Sequence, residues 1–511
     1  MSDYDAIVVG AGLGGLSAAA FLACAGQRVL VCERSESPGG LARGLQRGQH
    51  RFNTAVYTAD SGESGGRLDV LLRHLGVRDR LTLTPVDPLY TVRLPGFQLD
   101  APPDNDAFLD LHAKRFPDSA ADIRGLFAAC TQLFEELRDL ERNRTPRGLG
   151  GDLGDAVSRY PTVFRFSRST LDEVLREYIG DPRARAVLAA TWPALGLAPS
   201  RAAFMPWAGM MISALHGGQV YCQGGFQVLI DGLVTALAAN GGELRVSSEV
   251  TAIRLARGVV TGVELADGSE AGAPIVISGI DALDTFERLL DPEQLEARFL
   301  KRLGRMKPSS SAFVLYSASR MDLPDVAQEM FVFSSWDHEE HDIERLAVRL
   351  AIPTLADPSL APAGEHLVTA TVLAPYEIGE PWETAAGPLT DRLLSLIDGV
   401  LPGYRKGLTF TESATPVTLG EASRNARGAA YGWDGTPQQS GSKRLRHDPP
   451  VPGLFLSGHW TQPGIGIGRI VYSGAQAAQL ALGMEQVSDL VPTLVTEHYQ
   501  RARSSGSTSS A

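Results

Sequence analysis

The sequence predicts an α/β protein whose nucleotide-binding sheet is assembled from segments that lie far apart along the chain. A strand–turn–helix–strand unit opens the sequence and carries Gly10, Gly12 and Gly15 in its turn. Short apolar runs return within residues 244–278, and a last one, Leu454–Leu456, precedes a glycine-rich turn and a helix. Runs without polar alternation are typical of strands that are covered on both faces of a parallel sheet.

Composition and charge limit the possible classes of protein. The chain has 511 residues, of which 44% are hydrophobic and 21% charged, so disordered and collagen-like classes are excluded and a core of enzyme size can form. With 47 Lys and Arg against 59 Asp and Glu, the net charge is −12. Because a nucleic-acid-binding protein needs a basic stripe and none stands out, no nucleic-acid partner is expected.

Cysteine and histidine usage predicts neither disulfides nor a metal site. The four cysteines are scattered and form no CxxC pair, which is typical of a reduced cytoplasmic protein. Asp337, His338 and His341 form a polar cluster. Their spacing is not that of a zinc-binding helix motif, so we interpret the cluster as solvated surface.

The uncharged stretch from residue 6 to residue 26 is long enough to cross a bilayer. An acidic start precedes it, whereas a signal peptide begins with positive charge, and glycines interrupt it in a strand–turn–helix rhythm. We therefore interpret it as the buried opening unit. A cytoplasmic protein is expected, with at most peripheral contact with a membrane surface.

The predicted elements follow one another in order along the chain. Ile7–Val9 is the first strand, Leu16–Ala25 the first helix and Arg28–Glu33 the second strand. Helical spacing then dominates residues 100–215, apart from an Arg- and Gly-rich segment, residues 142–152, that is expected to be an exposed loop.

A second part of the nucleotide-binding domain begins at Gly224-Gly225, with a helix over residues 226–239. Asp267-Gly268 predicts a hairpin turn, and helical residues follow Asp281 as far as Leu303. Further strands are predicted over residues 244–246, 250–253, 259–265, 273–278, 310–317, 367–373 and 454–456, and a last helix over residues 470–482.

The most apolar stretch of the middle region, residues 202–215, has two interpretations. It contains Phe204, Trp207 and Met210 but is too short to cross a membrane. It is either a core helix or a functional surface, which would be the apolar lining of a substrate tunnel or a membrane-touching lip. The second interpretation predicts weak, reversible association with liposomes through this stretch.

The Gly10-x-Gly12-x-x-Gly15 pattern predicts a dinucleotide site because it follows a strand and opens a helix. Gly10 allows the tight turn, Gly12 lets the backbone approach a pyrophosphate, and Gly15 lets the helix and strand pack closely. Glu33 follows about 20 residues on, at the end of the second strand. Its carboxylate can accept both ribose hydroxyls and repels a 2′-phosphate, so NADP is disfavoured.

Further motifs fall in one order along the chain. They are Pro38-Gly39-Gly40 with Arg43, Phe52-Asn53, Gly224-Gly225, Glu249–Ile253, Tyr431–Pro437 and Gly453–Ala478. In this set the sequence resembles the FAD-dependent phytoene desaturase, carotenoid isomerase and retinol saturase group, within the flavin amine oxidase superfamily. The resemblance spans residues 4 to about 485 and implies FAD as the cofactor.

The resemblance also implies a domain plan. It implies a Rossmann-type FAD-binding domain built from discontinuous segments, with an interleaved α+β substrate-binding domain. The expected segments are residues 1–100, 216–300 and 420–485 for FAD, 101–215 and 301–419 for substrate, and 486–511 for a C-terminal helix and disordered tail.

The resemblance assigns cofactor contacts by position in each motif. It implies contact with the pyrophosphate for Gly10, Gly12, Leu13, Gly14 and Gly15, with the adenosine end for Glu33, Arg34 and Val250, with the phosphates for Gly40 and Arg43, with the phosphate or ribityl chain for Gly458, and with the flavin pyrimidine edge for Ile467 and Gly468. The chain departs from the usual family residues at Leu41, Asn53 and His459.

Three residues are candidates for the reacting centre. Tyr431 takes the place of one member of the aromatic pair that stacks over the flavin in amine oxidases, and Gly466 takes the other, which leaves room for an extended substrate. Trp433 either lines the same cavity or is an ordinary buried aromatic. His459 is either a structural donor or a proton donor or acceptor near the flavin. Residues 309–317 lack the lysine that amine oxidases usually carry on this strand.

The leading hypothesis is an FAD enzyme that changes the oxidation level or geometry of carbon–carbon double bonds in a long apolar polyene. Desaturation would transfer a hydride to flavin N5 and release a proton from the neighbouring carbon. Alternatives are a flavin-dependent cis–trans isomerase, a saturase, and a non-catalytic flavin- or polyene-binding protein. The substrate is expected to be an apolar small molecule, either free or tethered to a carrier protein.

Overall fold

The computed structural model describes residues 3–145, 148–149, 153–339 and 345–494. Its nucleotide-binding half is built on a five-stranded sheet in which every pairing is parallel. The strand order across the sheet is Glu243–Arg245, Val29–Cys32, Ala6–Val9, Ile275–Ser278 and Leu454–Leu456. Because these strands come from three distant parts of the chain, the structure confirms the α/β class and the discontinuous assembly.

Both faces of this sheet are covered, as the apolar runs predicted. Val8 packs into a core with the helices Leu13–Cys24, Gln227–Ala239 and Ile467–Ala481. Ile7 packs on the opposite face. That face carries a three-stranded antiparallel sheet of Val250–Ala256, Val259–Leu265 and Glu270–Gly272, whose last two strands flank the predicted hairpin turn.

The first turn shows why glycines are required there. Gly10 has a φ of +91°, and its N–H donates to the Cys32 carbonyl at 2.8 Å. A Cβ on Gly15 would overlap the carbonyl of Gly10, so helix and strand can approach only without it. The structural roles predicted for these two glycines are therefore confirmed.

The second large sheet has seven strands and is mixed. Its strand order is Leu408–Ala414, Ser311–Arg320, Glu365–Ala374, Ala347–Ala351, Glu329–Phe333, Tyr90–Leu94 and Phe97–Ala101. The predicted boundary at residue 100 is wrong, because the last two strands belong to this sheet. Val92 and Leu99 pack in one core with the helices of the middle region, which accounts for their place here.

A helical layer follows over the middle of the chain, as predicted. Its helices are Asn105–Arg115, Ala120–Asn143, Leu153–Arg159, Pro161–Phe166, Leu171–Tyr178, Pro182–Ala189 and Phe204–Gly217. Phe204 and Trp207 are completely buried, so the interpretation of residues 202–215 as a membrane-touching lip is wrong. The loop predicted over residues 142–152 has regular structure where it is described, because residues 142–143 end the helix Ala120–Asn143 and Arg144–Thr145 pairs with Gly148–Leu149. Residues 146–147 and 150–152 lie outside the described residues.

The remaining elements connect the two sheets. The helices are Arg67–His74, Ala297–Leu303, Trp382–Val400, Pro416–Ser423 and Val487–Leu490, and the short strands are Gly44–Arg47, His50–Asn53, Ala59–Asp60, Leu83–Pro85, Arg144–Thr145, Gly148–Leu149 and Gln219–Cys222. The helix predicted between Asp281 and Leu303 is interrupted, because Pro292 cannot continue it. The predicted disordered tail lies largely outside the described residues.

Two surface predictions can be compared with the part of the chain that the structure describes. His338 is buried and stacks on Phe333 with ring centroids 4.3 Å apart, so the solvated-surface interpretation is wrong for this residue. His341 lies outside the described residues. None of the described helices combines the length and hydropathy that a membrane crossing needs.

Candidate functional site

A cavity of about 330 Å³ opens at the carboxyl ends of the parallel strands, where open α/β sheets bind their ligands. Most residues that the sequence singled out line it. They are Gly10, Gly12, Leu13, Gly14, Glu33, Arg34, Gly40, Val250, Tyr431, Gly458, His459 and Ile467. Gly15, Arg43, Trp433 and Gly468 do not line it.

The first end of the cavity is fixed around Glu33. Its Oε2 accepts the Ala11 N–H and its Oε1 accepts the Ser35 N–H, both at 2.8 Å. The carboxylate keeps lone pairs that can accept ribose hydroxyls. Glu33 therefore fits the adenosine half of a dinucleotide.

Arginines surround the same end of the cavity. Arg34 donates to the backbone carbonyls of Glu421 and Ala422. The Glu249 carboxylate pairs with Arg424 and Arg288, and Val250 follows it at the start of a strand. These contacts bring the segments near residues 34, 249 and 424 together, although they are far apart in sequence.

The middle of the cavity is a cradle made of backbone. A Cβ on Gly12 would have the Gly279 carbonyl oxygen as its nearest neighbour, 4.0 Å away, so this position opens into the cavity. A Cβ on Gly14 would lie 2.6 Å from the Gly458 Cα, and one on Gly40 would lie 3.1 Å from the Gly12 Cα. Three distant segments thus approach as closely as glycine allows.

A helix end completes this cradle. The helix Leu13–Cys24 begins there with no side-chain cap and no acidic residue in its first turn. Its free N–H groups and the positive end of its dipole favour an anion. The cradle therefore fits the pyrophosphate of a dinucleotide.

Tyr431 lies in the wall at the other end of the cavity. Its hydroxyl donates to the Pro193 carbonyl at 2.9 Å, and its N–H donates to the Ser309 Oγ at 2.9 Å. Burial raises the pKa of Tyr431 to about 12. The hydroxyl therefore stays protonated near neutral pH, where it is a fixed donor and not a base.

His459 lies beside it and is neutral. Burial, together with the nearby positive charge of Arg444, lowers the pKa of His459 to about 3. Its Nε2 has no hydrogen-bond partner among the described residues. A histidine with this pKa is not a proton donor near neutral pH, so the acid role considered for it is disfavoured.

Residues 13–482 match the family model of the flavin-containing amine oxidoreductases. The chain belongs to this family. It is therefore an FAD-dependent oxidoreductase, and the glycine cradle and the Glu33 carboxylate suit the two phosphates and the adenosine of that cofactor. The interpretation as a non-catalytic binding protein is set aside.

Known relatives of this flavoenzyme extend over almost the whole chain. It is 29% identical to a phytoene desaturase (neurosporene-forming) of Rhodobacter capsulatus, with 93% of each chain covered. It is 27% identical to a chloroplastic prolycopene isomerase of Arabidopsis thaliana, covering 95% of this chain and 84% of that protein. The fold is shared with an oxidoreductase from Methanosarcina mazei at a TM-score of 0.66 and 20% identity, covering 94% and 99% of the two chains.

Trp433 takes no part in the cavity of the flavoenzyme. It is completely buried, its Nε1 donates to the Trp460 carbonyl at 2.8 Å, and the two indole rings meet edge to face at 4.9 Å. Gly432 between Tyr431 and Trp433 has a φ of +69° and breaks the alternation of the chain, so the two aromatic side chains diverge. Of the two interpretations of Trp433, the one that places it in the cavity wall is wrong, and the ordinary buried aromatic is correct.

Three other residues predicted to contact the cofactor do not line the cavity. Gly15 serves the packing of helix on strand described above. Gly468 is the second residue of the helix Ile467–Ala481, and a Cβ on it would lie 3.3 Å from the Asp60 carbonyl oxygen. Arg43 lies half-buried beside the Gly39 turn. Contact of Arg43 and Gly468 with the cofactor stays a prediction.

Sequence reasoning missed several residues of the cavity wall. Asp60 lines it and accepts the Ser213 hydroxyl at 2.9 Å. Arg349 also lines it, pairs with Glu329 at 2.5 Å and lies over the Tyr57 ring at 4.8 Å. These residues have no local motif, because strand pairing alone brings them to the cavity.

Proposed function

We propose that this flavoenzyme desaturates a long apolar polyene. The observation that carries the proposal is a set of apolar side chains in the wall of the cavity that Tyr431 lines. Its apolar members are Ala194, Leu195, Pro206, Met210, Ile465, Ile467 and Ile470. No lysine is found among the described residues that line the cavity. The names of the two curated relatives, a phytoene desaturase and a prolycopene isomerase, support a polyene substrate.

The side chains of this wall would orient the substrate and exclude water. When bound, FAD supplies the hydride acceptor, which is the cofactor's own chemistry. The Tyr431 side chain is held in one orientation, because both its hydroxyl and its backbone N–H donate hydrogen bonds. A fixed ring beside the apolar wall holds a conjugated chain by stacking, which contributes about 0.5–1.5 kcal/mol beyond burial.

Desaturation also needs a proton acceptor. One carbon loses a hydride and its neighbour loses a proton, and the electron pair left by the proton forms the new double bond. Tyr431 is already protonated, and His459 is too weak a base. Asp60 is the acceptor in this proposal, since its carboxylate lines the cavity and is held by the Ser213 hydroxyl.

The test is a single anaerobic turnover of the FAD-loaded protein with phytoene. We expect bleaching of the flavin absorbance and one product that is lighter by two hydrogens for each flavin reduced. Asp60→Asn should keep FAD and lower the rate of bleaching by about 10²–10⁴-fold, the usual contribution of a general base. Ser310→Ala, at a hydroxyl outside the cavity, serves as the control. A substrate that is bound but never bleaches the flavin would reject desaturation.

Isomerisation is the second candidate, and the similarity to a prolycopene isomerase favours it. It moves no net electrons, so the product keeps the mass of the substrate. Incubation of the chemically reduced holoenzyme with prolycopene separates the two reactions. A product of unchanged mass and altered retention, formed while the flavin stays reduced, would identify an isomerase.

Weak contact with a lipid surface is also part of the proposal, because an apolar substrate dissolves in membranes. The buried helix Phe204–Gly217 is not the contact. Instead, Val157 and Phe164, with exposed fractions of 42% and 36%, are two of the few large apolar side chains on the described surface. Both lie within residues 153–166, on the helical side of the molecule.

A further inference from the structure

Arg444 is a buried cation without a carboxylate partner among the described residues. It is 4% exposed, and its Nη2 donates to the backbone carbonyls of Tyr431 at 3.0 Å and His459 at 2.7 Å. Its Nε has no hydrogen-bond partner in the described part of the chain. Burial and the neighbouring Arg469 lower the pKa of Arg444 to about 10, so the guanidinium still carries its charge near neutral pH.

A buried charge without a partner destabilises the folded protein, since removing a charge from water costs several kcal/mol unless another charge compensates it. Two partly buried arginines of this chain, with side chains 25% and 17% exposed, follow that rule. Arg67 pairs with Glu141 at 2.8 Å, and Arg349 pairs with Glu329 at 2.5 Å. Arg444 has only carbonyl dipoles as partners, so no negative charge in the described part of the chain balances it.

The position of Arg444 indicates where that charge arises. Tyr431 and His459, whose carbonyls it holds, both line the cavity. A Cβ on Gly464 would lie 3.4 Å from the guanidinium carbon, and the chain enters the cavity wall directly after it, at residues 465–467. Arg444 therefore lies directly behind the part of the wall that Tyr431, His459 and residues 465–467 form.

Other groups at this wall have the same sign. The helix Ile467–Ala481 starts here with no side-chain cap, so its positive dipole end faces the cavity. Arg469 lines the cavity as well. His459 contributes no charge because it is neutral, and Asp60 is the carboxylate that approaches this helix start, near Gly468.

We propose that the uncompensated charge of Arg444 stabilises the negative charge that bound FAD gains on reduction, and so raises its reduction potential. Arg444 is thus a positioning residue, which acts through the wall formed by Tyr431 and His459. The inference rests on FAD as the cofactor and not on the identity of the substrate. It holds equally for a desaturase, a saturase or an isomerase that needs reduced flavin.

The experiment compares the holoenzyme with Arg444→Gln, Arg444→Lys and, as a matched control, Arg302→Gln. Arg302 is exposed and donates to the Arg444 carbonyl. Its substitution therefore removes one nearby charge without exposing Arg444 to solvent. The two-electron midpoint potential of bound FAD is measured by equilibration with a reference dye, and the dissociation constant of the flavin–sulfite adduct is measured by titration.

For Arg444→Gln we expect the ratio of oxidised to reduced flavin at a fixed potential to rise about tenfold, which is ~30 mV for two electrons. Sulfite affinity should fall by a similar factor. Arg444→Lys keeps the charge and should stay within about threefold of the wild type, and Arg302→Gln should not differ. A structural role alone would lower stability in both Arg444 variants and leave the potential unchanged.

A folded, FAD-loaded Arg444→Gln protein with the potential of the wild type would overturn the inference. If this variant is not recovered with FAD, the reduction potential of FAD bound to the wild-type protein tests the inference instead. Its bound FAD should have a higher potential than free FAD, and a value at or below that of free FAD would overturn the inference. Loss of polyene turnover with the potential shift intact would instead reject the proposed function alone.

Discussion

At the scale of single residues, the glycine cradle gives the most direct test of cofactor binding. Gly12→Val places a branched side chain in open cavity, with no protein atom nearer than 4.0 Å to its Cβ. The fold should therefore tolerate it, while the pyrophosphate cannot. We expect nearly colourless protein with normal unfolding, measured as the ratio of flavin to protein absorbance and as the unfolding midpoint.

The matched control for this change is Gly125→Val. A Cβ at Gly125 also meets no atom within 4 Å, but the residue lies in the helix Ala120–Asn143, away from the cavity. This variant should bind FAD normally and gain a few tenths of a kcal/mol of stability, roughly, because valine has a higher helix propensity than glycine. A yellow Gly12→Val protein would contradict the position given to the pyrophosphate.

Substitutions at Trp433 and Tyr431 should differ in how strongly they lower the stability of the protein. Trp433→Ala removes a completely buried indole and its hydrogen bond to Trp460, so the free energy of unfolding should fall by about 3–5 kcal/mol. Tyr431→Phe loses one hydrogen bond and should cost about 1 kcal/mol. Urea denaturation of the FAD-loaded proteins measures both. If the free energy of unfolding of Trp433→Ala is unchanged, the placement of this ring in the core is contradicted and the cavity-lining interpretation is supported.

At the scale of elements, the helix Asn105–Arg115 contains a buried histidine that makes stability depend on pH. His112 Nδ1 donates to the Phe108 carbonyl at 2.8 Å, and burial lowers the pKa of His112 to about 4. Unfolding restores its ordinary pKa of about 6.5. The unfolded state therefore binds the proton more tightly, and stability falls as pH decreases from about 6.5 towards 4.

The expected contribution is about 3 kcal/mol over this interval, at about 1.4 kcal/mol for each unit of pKa. His112→Gln keeps a donor for the Phe108 carbonyl but does not titrate. The difference in unfolding free energy between wild type and variant, from urea denaturation at several pH values, should therefore shrink as the pH is lowered. A difference that is constant between pH 7 and pH 4 would contradict this assignment.

Short sequence patterns were enough to predict some elements of the fold but not others. The opening βαβ unit and the 267–268 hairpin turn are set by short-range sequence, and the structure has both. The strands Tyr90–Leu94 and Phe97–Ala101 were assigned to the wrong half, because their sheet depends on pairing with Glu329–Phe333. Periodicity shows that a strand exists, but not which distant strand it joins.

The same limit applies to the cavity. The residues of the glycine turns could be predicted, because a turn that approaches phosphate needs glycine at fixed spacing. Asp60 and Arg349 could not be predicted as cavity residues, since neither belongs to a motif. Each lies on a strand, and the pairing of that strand with its neighbours brings the residue to the cavity wall. The sequence could not decide between the two interpretations of Trp433, because a single positive φ at Gly432 reverses the side-chain direction that strand alternation implies.

At the scale of the whole molecule, charge is unevenly distributed. The chain carries a net charge of −12 and only five lysines, yet one surface recess is lined by several cations. This basic recess consists of Arg298, Lys301, Arg302, Arg305 and Lys443, with Met306, Gln438 and Gln439. No salt bridge to any of these cations occurs within the described residues, although many other arginines are paired.

The basic recess adjoins the end of the helix that carries Phe164. Lys443 Nζ donates to the Ser167 carbonyl at 2.8 Å, directly after the helix Pro161–Phe166 that carries Phe164. An apolar side chain beside unpaired cations is the composition of a site for an anionic lipid surface. Each cation near such a surface contributes about 1 kcal/mol, and the attraction is screened by salt.

We therefore expect the holoenzyme to sediment with vesicles that contain phosphatidylserine, more weakly with phosphatidylcholine alone, and less as salt rises. Phe164→Asp and Lys301→Glu should each reduce the bound fraction several-fold, since one removes the apolar contact and the other reverses a charge. Val259→Asp is the control, because Val259 is equally exposed but lies on the hairpin of the nucleotide-binding half. Equal loss in all three variants would indicate a general effect of negative charge, and salt-independent binding to neutral vesicles would reject the basic recess as the contact.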